Sequence, residues 1–436
     1  MINDIELTLK FFHDFTFHRL KNHFSPENVN PAFPKSWNGL SGAINLNDHN
    51  LTEQEFALIV LACIPHLRPN FFDSIIQEFL PQGGEFPEFG GVKSGNHRGM
   101  VPTGETALFL LAGNDLQQRL EVQKIFSEEH FFNKQKILWL EEVREGEPKM
   151  SGRIILSEEW FEKWMYGKAS KPRFGTDFPA KNIETRMIWD DAVLSPQTLK
   201  QIEVITTWLQ HNEALMKDDN LSRKLKPGYR VLFYGPSGTG KTLTASLLGK
   251  QFQKDVYRID LSQVVSKYIG ETEKNLEKVF SKAENKNWIL FFDEADALFG
   301  KRTSVSNAHD RYANQEVSYL LQRVEDFPGL IILASNFKAN IDSSFIRRFN
   351  QIIFFPVPNE SERLILWQKA MPSMLNLHPE TNLPEIAKQY EITGAAIINV
   401  MQYAALQAIK RNDFLIHARD LVEGIQREFQ KEDKSV

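Results

Sequence analysis

Apolar residues in the second half of the chain fall into short unbroken runs: Val231-Leu-Phe-Tyr234, Trp288-Ile-Leu-Phe-Phe292 and Leu330-Ile-Ile-Leu-Ala334. Between them, apolar residues recur at helical spacing. Unbroken runs rich in β-branched and aromatic residues predict strands buried on both faces, and their alternation with helices predicts a parallel sheet flanked by helices. That pattern begins near Ile188, where Trp189 to Leu194 precedes a helix opening at Ser195-Pro196. From Glu360 the periodicity becomes wholly helical, over Ser361 to Ala370, Leu383 to Tyr390, Gly394 to Arg411 and Ala418 to Gln430.

The first part of the chain reads differently. Residues 1 to about 50 are rich in Phe, His and Asn, and Pro26, Pro31 and Pro34 are expected to interrupt any long helix. Thr52 and Glu55 form a capping-box signature that opens an amphipathic helix to about Ile64, with a second helix over Asn70 to Leu80. Gln82 to Gly99 is glycine-rich and includes Lys93, Ser94 and Arg98, but no strand leads into it and the glycine spacing of a phosphate loop is missing. A mobile surface loop is expected there. Helices follow over Glu105 to Ala112 and Asp115 to Phe126, then strand-like runs at Lys136 to Leu140 and Arg153 to Leu156 separated by a polar turn. This α+β order resembles a winged helix, a fold that serves both DNA and protein docking. The wing carries Glu141, Glu142, Glu145 and Glu147, which disfavours DNA. A short helix from Ser157 to Tyr166 ends at Gly167, and Lys168 to Lys181, with Pro172, Gly175 and Pro179, reads as a linker. The expected division is therefore residues 1–180, a partner- or substrate-binding domain; 181–359, an α/β core; and 360–436, a helical lid.

Composition narrows the class. At 436 residues, 42% hydrophobic and 25% charged, the chain can bury more than one core. Its formal charge of −5 supplies no bulk attraction to nucleic acid or acidic membranes. The single cysteine, Cys63, lies in an apolar stretch and fits a reducing, cytoplasmic setting. The longest apolar run, Phe56 to Pro65, is too short to cross a bilayer as a helix, so a soluble protein is expected.

The candidate chemistry centres on the residues that follow Val231 to Tyr234. Gly235-Pro236-Ser237-Gly238-Thr239-Gly240-Lys241-Thr242 joins that strand to a helix beginning near Lys241, with an apolar-periodic segment over Leu243 to Phe252. The glycines let successive backbone N–H groups converge on a phosphate, and the helix terminus adds its positive dipole. Lys241 can reach β- and γ-phosphate oxygens, and the Thr242 hydroxyl suits Mg²⁺. These features predict a nucleoside-triphosphate site.

Four more stretches fit such a site, each with a plainer competitor. Asp293 and Glu294 end an apolar strand, Asp293 suited to Mg²⁺ through its water shell and Glu294 to the attacking water; a solvated acidic turn competes. Asn336 ends another strand and can bond the γ-phosphate or that water; a turn-forming Asn competes. Arg347 and Arg348 suit a finger that completes a neighbour's site; a solvated basic pair competes. Lys267-Tyr268-Ile269-Gly270 offers bulky residues that can grip a threaded chain; packing of Tyr268 in a core competes.

Taken together and in this order, these motifs resemble the AAA+ ATPases, and within them the AAA clade proper, over about Ile188 to Phe429. The resemblance implies a P-loop α/β core with a C-terminal α-helical lid, ATP and Mg²⁺ as cofactors, and a homo-oligomeric ring, expected to be a hexamer. It makes the glycine-rich loop Walker A, Asp293 and Glu294 Walker B, Asn336 sensor 1, and residues 267–270 the first pore loop. It also brings the Gly394-Ala395 turn to the adenine. The family's second pore loop would fall within Gly300 to Glu325, with Arg311 a candidate inter-subunit contact. The family's usual R-P-G-R-F-D-R run is shortened here to Arg347-Arg348-Phe349-Asn350-Gln351, which favours Arg348 as finger and leaves a second one missing or replaced by Gln351. No sensor 2 arginine stands near Gly394. The shortened run and Phe355-Pro356-Val357-Pro358 look like bacterial ATPases encoded beside contractile, phage-tail-like injection systems. The implied activity is ATP-driven remodelling of a protein substrate, such as a component of such a system. A nucleic-acid motor or loader and a slow nucleotide-dependent scaffold are the rivals.

Overall fold

In the computed structural model the chain is described over residues 2–25, 46, 49–172, 174–175, 178–261, 271–284, 286–296, 318–337 and 343–431. It divides into two compact units, Met1–Lys171 and Pro172–Val436.

The first unit opens with a helix the proline-based reading did not anticipate, Ile2–Phe24. Its buried residues Leu9, Phe12, Phe15, Thr16 and Leu20 recur at helical spacing, so one face is committed to a core before Pro26 is reached. The helix Glu53–Leu67 follows its capping box. Thr52 N donates to Glu55 Oε2 at 2.7 Å, and Glu55 N donates to Thr52 Oγ1 at 3.2 Å. Strands β1 (Val92–Lys93) and β2 (Met100–Val101) pair antiparallel inside the glycine-rich stretch. Phe89 is fully buried there, so the stretch is anchored rather than a free loop. β3 (Leu138–Leu140) and β4 (Ile154–Leu156) pair antiparallel, and the helix Glu158–Tyr166 ends on Gly167 in the left-handed conformation.

Glu55 is a buried ion held by several partners. His130 and His49 donate to its Oε1 at 3.0 and 3.2 Å. Burial pushes its carboxyl up, but the bonds from His130, from the Thr52 backbone and side chain, and from His49 outweigh it and hold the group down at about 2. A folded-state value below the unfolded one gives stability that is present above about pH 4.3 and is lost as pH falls towards the folded value. Glu55→Gln should therefore flatten the acid limb of thermal melts of the full chain between about pH 4.3 and about 2. Melts that keep the wild-type acid slope would refute that role for Glu55.

The second unit is built on a six-stranded sheet of β5 (Lys181–Ile183), β6 (Tyr229–Tyr234), β7 (Val256–Asp260), β8 (Ile289–Asp293), β9 (Leu330–Ser335) and β10 (Gln351–Phe354). The order is β10-β6-β9-β8-β7-β5, with every pairing parallel except that of the edge strand β5. Alternate residues of the apolar runs serve opposite faces. Val231, Phe233, Ile289, Phe291 and Ile332 enter one core, while Leu232, Leu290, Phe292, Ile331 and Leu333 enter the other. Both faces are covered, which is why the runs are unbroken. Of the stretch read as a linker, Phe178 is buried, packing edge-on against Tyr257 and Trp288 beside β5.

The sheet is followed by the helices Glu360–Ala370, Leu383–Gln389, Gly394–Arg411 and Ala418–Lys431, with a parallel pair of β11 (Asn376–Leu377) and β12 (Leu415–Ile416). Asn359 and Thr393 cap the first and third of these helices. Arg411 forks onto the buried Asp420 at 2.8 and 2.7 Å, and Arg363 donates to the carbonyls of Ala387 and Pro358. The half-buried Arg411 and the buried Arg363 bind the helices to one another and to the segment leaving the sheet.

Candidate active site

Parallel pairing brings the candidate residues to one edge of the sheet. β6 and β9 run in register to Tyr234 opposite Ser335, so the turn at Gly235 lies beside Asn336. β8, on the other side of β9, delivers Asp293 at the same carboxyl ends, where ligands of α/β sheets bind.

The turn after β6 depends on its glycines. Gly235 has φ 146°, and a Cβ there would lie 2.1 Å from the Phe355 carbonyl oxygen. Gly240, at φ 100°, is the N-cap of the helix Lys241–Gln251. Only glycine takes up these conformations without strain. Inside the curl, Lys241 is buried, with Nζ donating to the carbonyls of Gly235 at 2.6 Å and Pro236 at 2.9 Å and to Asn336 Oδ1 at 3.2 Å. Burial lowers the ammonium's pKa, and the charges of Asp293 and Asp296 oppose that shift.

Glu294 stands at φ 52°, a left-handed conformation that a non-glycine residue rarely adopts and that is concentrated at functional sites. Two bonds hold the turn. Glu294 N donates to Asp293 Oδ1 at 3.1 Å, and Ala295 N donates to the Ala334 carbonyl at 2.8 Å.

Gly240, Lys241, Asp293, Glu294 and Asn336 line one cavity of about 720 Å³, within the range of small-molecule sites. Its walls include Ser237, Gly238, Thr239, Gly240, Lys241, Thr242 and Leu243 of the loop, and Asp293, Glu294 and Asn336 of the strand ends. Gly394 and Ala395 of the lid also line it, and Ala395 N donates to the Gly238 carbonyl at 3.2 Å. The lid is thereby in direct contact with the phosphate-loop backbone. Thr242 and Asp293 offer a hydroxyl and a carboxylate, hard oxygen donors that fit Mg²⁺.

Other expected residues lie elsewhere. Arg347 and Arg348 are exposed and do not line the cavity; Arg348 is ion-paired with Glu325, which also holds Lys226. Gln351 is committed to structure, its amide donating to the Gln201 carbonyl at 2.8 Å. Lys267, Tyr268, Ile269, Gly270 and Arg311 lie outside the described residues.

The cavity also contains residues the motifs did not flag. Asp191 to Leu194 form one wall, and Leu366, Lys369 and Ala370 come from the lid. Glu362 lines it too, with Oε1 buried and without a partner among the described residues. Arg258, from the middle of β7, pairs with Asp293. A cation inside the otherwise strand-like run Val256-Tyr-Arg-Ile was the one available signal.

A glycine-rich strand-to-helix turn, two carboxylates at the end of the next strand but one and a lid in contact with the turn define a nucleotide-binding α/β fold with a helical lid. Residues 231–357 match the family model "ATPase family associated with various cellular activities (AAA)". The chain carries an AAA+ ATPase domain. It is 30% identical over 215 residues to a 26S proteasome regulatory subunit 6B homolog of Dictyostelium discoideum, covering 48% of this chain and 53% of the relative. It is 33% identical over 192 residues to Cell division protein C of Sulfolobus acidocaldarius, covering 41% and 50%. It is 33% identical over 233 residues to the proteasome-activating nucleotidase of Methanococcus vannielii, covering 51% and 57%. The chain thus spans about half the length of the curated relatives it matches.

Proposed function

We propose that the chain is an ATP-hydrolysing ring protein that remodels or unfolds a protein substrate. The observation that carries this reading is the single cavity in which Lys241, Thr242, Asp293, Glu294, Asn336 and the lid residues Gly394 and Ala395 meet. Lys241 and the loop amides bind the phosphates, Thr242 and Asp293 would hold Mg²⁺, and Asn336 and Glu294 orient and deprotonate the attacking water. Bound there, Mg²⁺ would neutralise charge on the β- and γ-phosphate oxygens. Arg348 is exposed and outside its own cavity; on exchanging its surface pair with Glu325 it would serve the site of a neighbouring copy in a ring, which we take to be a hexamer. The contact from Ala395 to Gly238 gives the lid a direct mechanical link to events at the phosphates.

The proteasomal relatives favour a protein substrate, gripped by residues 267–270. The net charge of −5 disfavours a nucleic-acid motor. No described helix is long and apolar enough to cross a membrane, and a cytoplasmic setting suits such a machine. A contractile injection system as the setting rests on the run Arg347 to Pro358 alone; neither the cavity nor the relatives add to it.

The test is the ATPase rate with and without an unfolded model protein such as reduced casein. Casein should raise the rate, and Tyr268→Ala should bring the stimulated-to-basal ratio to one. Stimulation by DNA that fades with salt, and none by casein, would favour the nucleic-acid motor. A slow rate that responds to neither would favour a scaffold.

A further inference from the structure

Arg258 occupies the central position of β7, opposite Phe291 in the parallel ladder with β8, while Asp260 stands opposite Asp293. Its guanidinium reaches along the ladder to the end of β8, where Nη2 lies 3.0 Å from Asp293 Oδ2. The other oxygen of that carboxylate, Oδ1, accepts from Glu294 N at 3.1 Å. Both acceptor atoms of Asp293 are therefore engaged, one by the backbone of Glu294 and one by a cation from the next strand. The Arg258 side chain is 40% exposed and lines the same cavity as Lys241, Thr242 and Asn336. Its Nε is buried without a partner among the described residues. A planar fork normally grips a carboxylate with two parallel bonds. With Nε unpartnered, this fork holds by one arm and loses little on letting go.

We propose that Arg258 is a positioning residue for Asp293, occupying the carboxylate oxygen that a divalent cation's water shell would use and yielding it when Mg²⁺ arrives with nucleotide. The inference rests on reading the cavity as a Mg²⁺–ATP site. It assigns Arg258 two effects of opposite sign. Without a divalent cation, the guanidinium cancels the negative charge that Asp293 would turn on a triphosphate, and so supports metal-free binding. With Mg²⁺ present, the same guanidinium competes for Oδ2 and raises the Mg²⁺ concentration needed. A residue that merely shaped the pocket would move both affinities in the same direction.

The experiment is a titration of a fluorescent ATP analogue in EDTA and then at rising Mg²⁺, on the full chain and on Arg258→Met and Arg258→Lys. Met keeps the apolar stem that packs on the strand, and Lys keeps a point charge without the fork. Arg258→Met should bind the analogue about five-fold more weakly in EDTA and reach half-saturation at about five-fold less Mg²⁺, the scale of one partly exposed ion pair. Arg258→Lys should fall between Met and wild type. Equal weakening under both conditions, or no change in either, would overturn the role of Arg258 while leaving the cavity reading intact. Failure of the wild-type chain to bind the analogue under either condition would overturn the cavity reading, and this inference with it. If Arg258→Met does not fold, Arg258→Lys alone still decides the sign.

Discussion

Glu294→Gln is expected to bind ATP as tightly as the wild-type chain and to turn it over about 10² to 10⁴ times more slowly, the range of a positioned general base. The substitution keeps size and shape and removes the ability to take a proton. The conformation of Glu294 makes the effect specific. Its φ of 52° turns the side chain out of the strand direction just beyond Asp293, and two backbone bonds prevent the turn from relaxing. Neither bond uses the carboxylate, so the variant leaves the turn and the Asp293 contact in place. Steady-state phosphate release together with equilibrium binding of labelled ATP checks both halves. Wild-type turnover would remove Glu294 from the chemistry. Loss of binding would instead show that its charge or shape helps to hold the nucleotide. A slow variant that retains ATP is also the species in which a ring should be most populated, read by sedimentation with and without nucleotide.

The parts of the fold legible in the sequence were those where one local rule decides the outcome. Val231 to Tyr234, Trp288 to Phe292 and Leu330 to Ala334 are unbroken because the sheet is covered on both faces, and the Thr52–Glu55 box is written in adjacent residues. The turn from Gly235 to Thr242 was visible because its backbone tolerates so few alternatives. What escaped depends on the pairing of distant strands. Arg258 reaches Asp293 only through the β7–β8 register, and Glu362 enters the cavity wall only once the helix Glu360–Ala370 is docked. The first helix was missed for another reason: Pro26, Pro31 and Pro34 were weighed over the whole segment, although all of them lie beyond its last residue, Phe24. The glycine-rich stretch before Gly99 misled in the same way, since glycine count alone cannot reveal that Phe89 is buried.

Lys241→Ala should separate binding from chemistry in the opposite sense, by sharply weakening nucleotide binding. Nζ is buried, bonded to three oxygens, and stands near the charges of Asp293 and Asp296. Its loss removes the loop's own cation and leaves Arg258 alone to offset the charge of Asp293. Truncating one member of a buried, charged hydrogen-bonded group costs about 2–5 kcal/mol. At 1.4 kcal/mol per decade, affinity should fall by about 30- to 4,000-fold. Pro236 is exposed, so water can bond its freed carbonyl, and the nucleotide-free chain should stay folded. Thermal melts test both statements at once, because a ligand at about 100 times its Kd stabilises the native state by about 2.7 kcal/mol. Wild type and Glu294→Gln should gain melting temperature as ATP is added, while Lys241→Ala should start near the wild-type value and gain at most about a third as much stability at the same concentrations. A Lys241→Ala chain that gains as much as wild type with ATP would mean that the loop amides and Mg²⁺ hold the triphosphate without the ammonium. A fall in melting temperature before any nucleotide is added would mean that Lys241 serves chiefly to close the loop on itself through Gly235, Pro236 and Asn336.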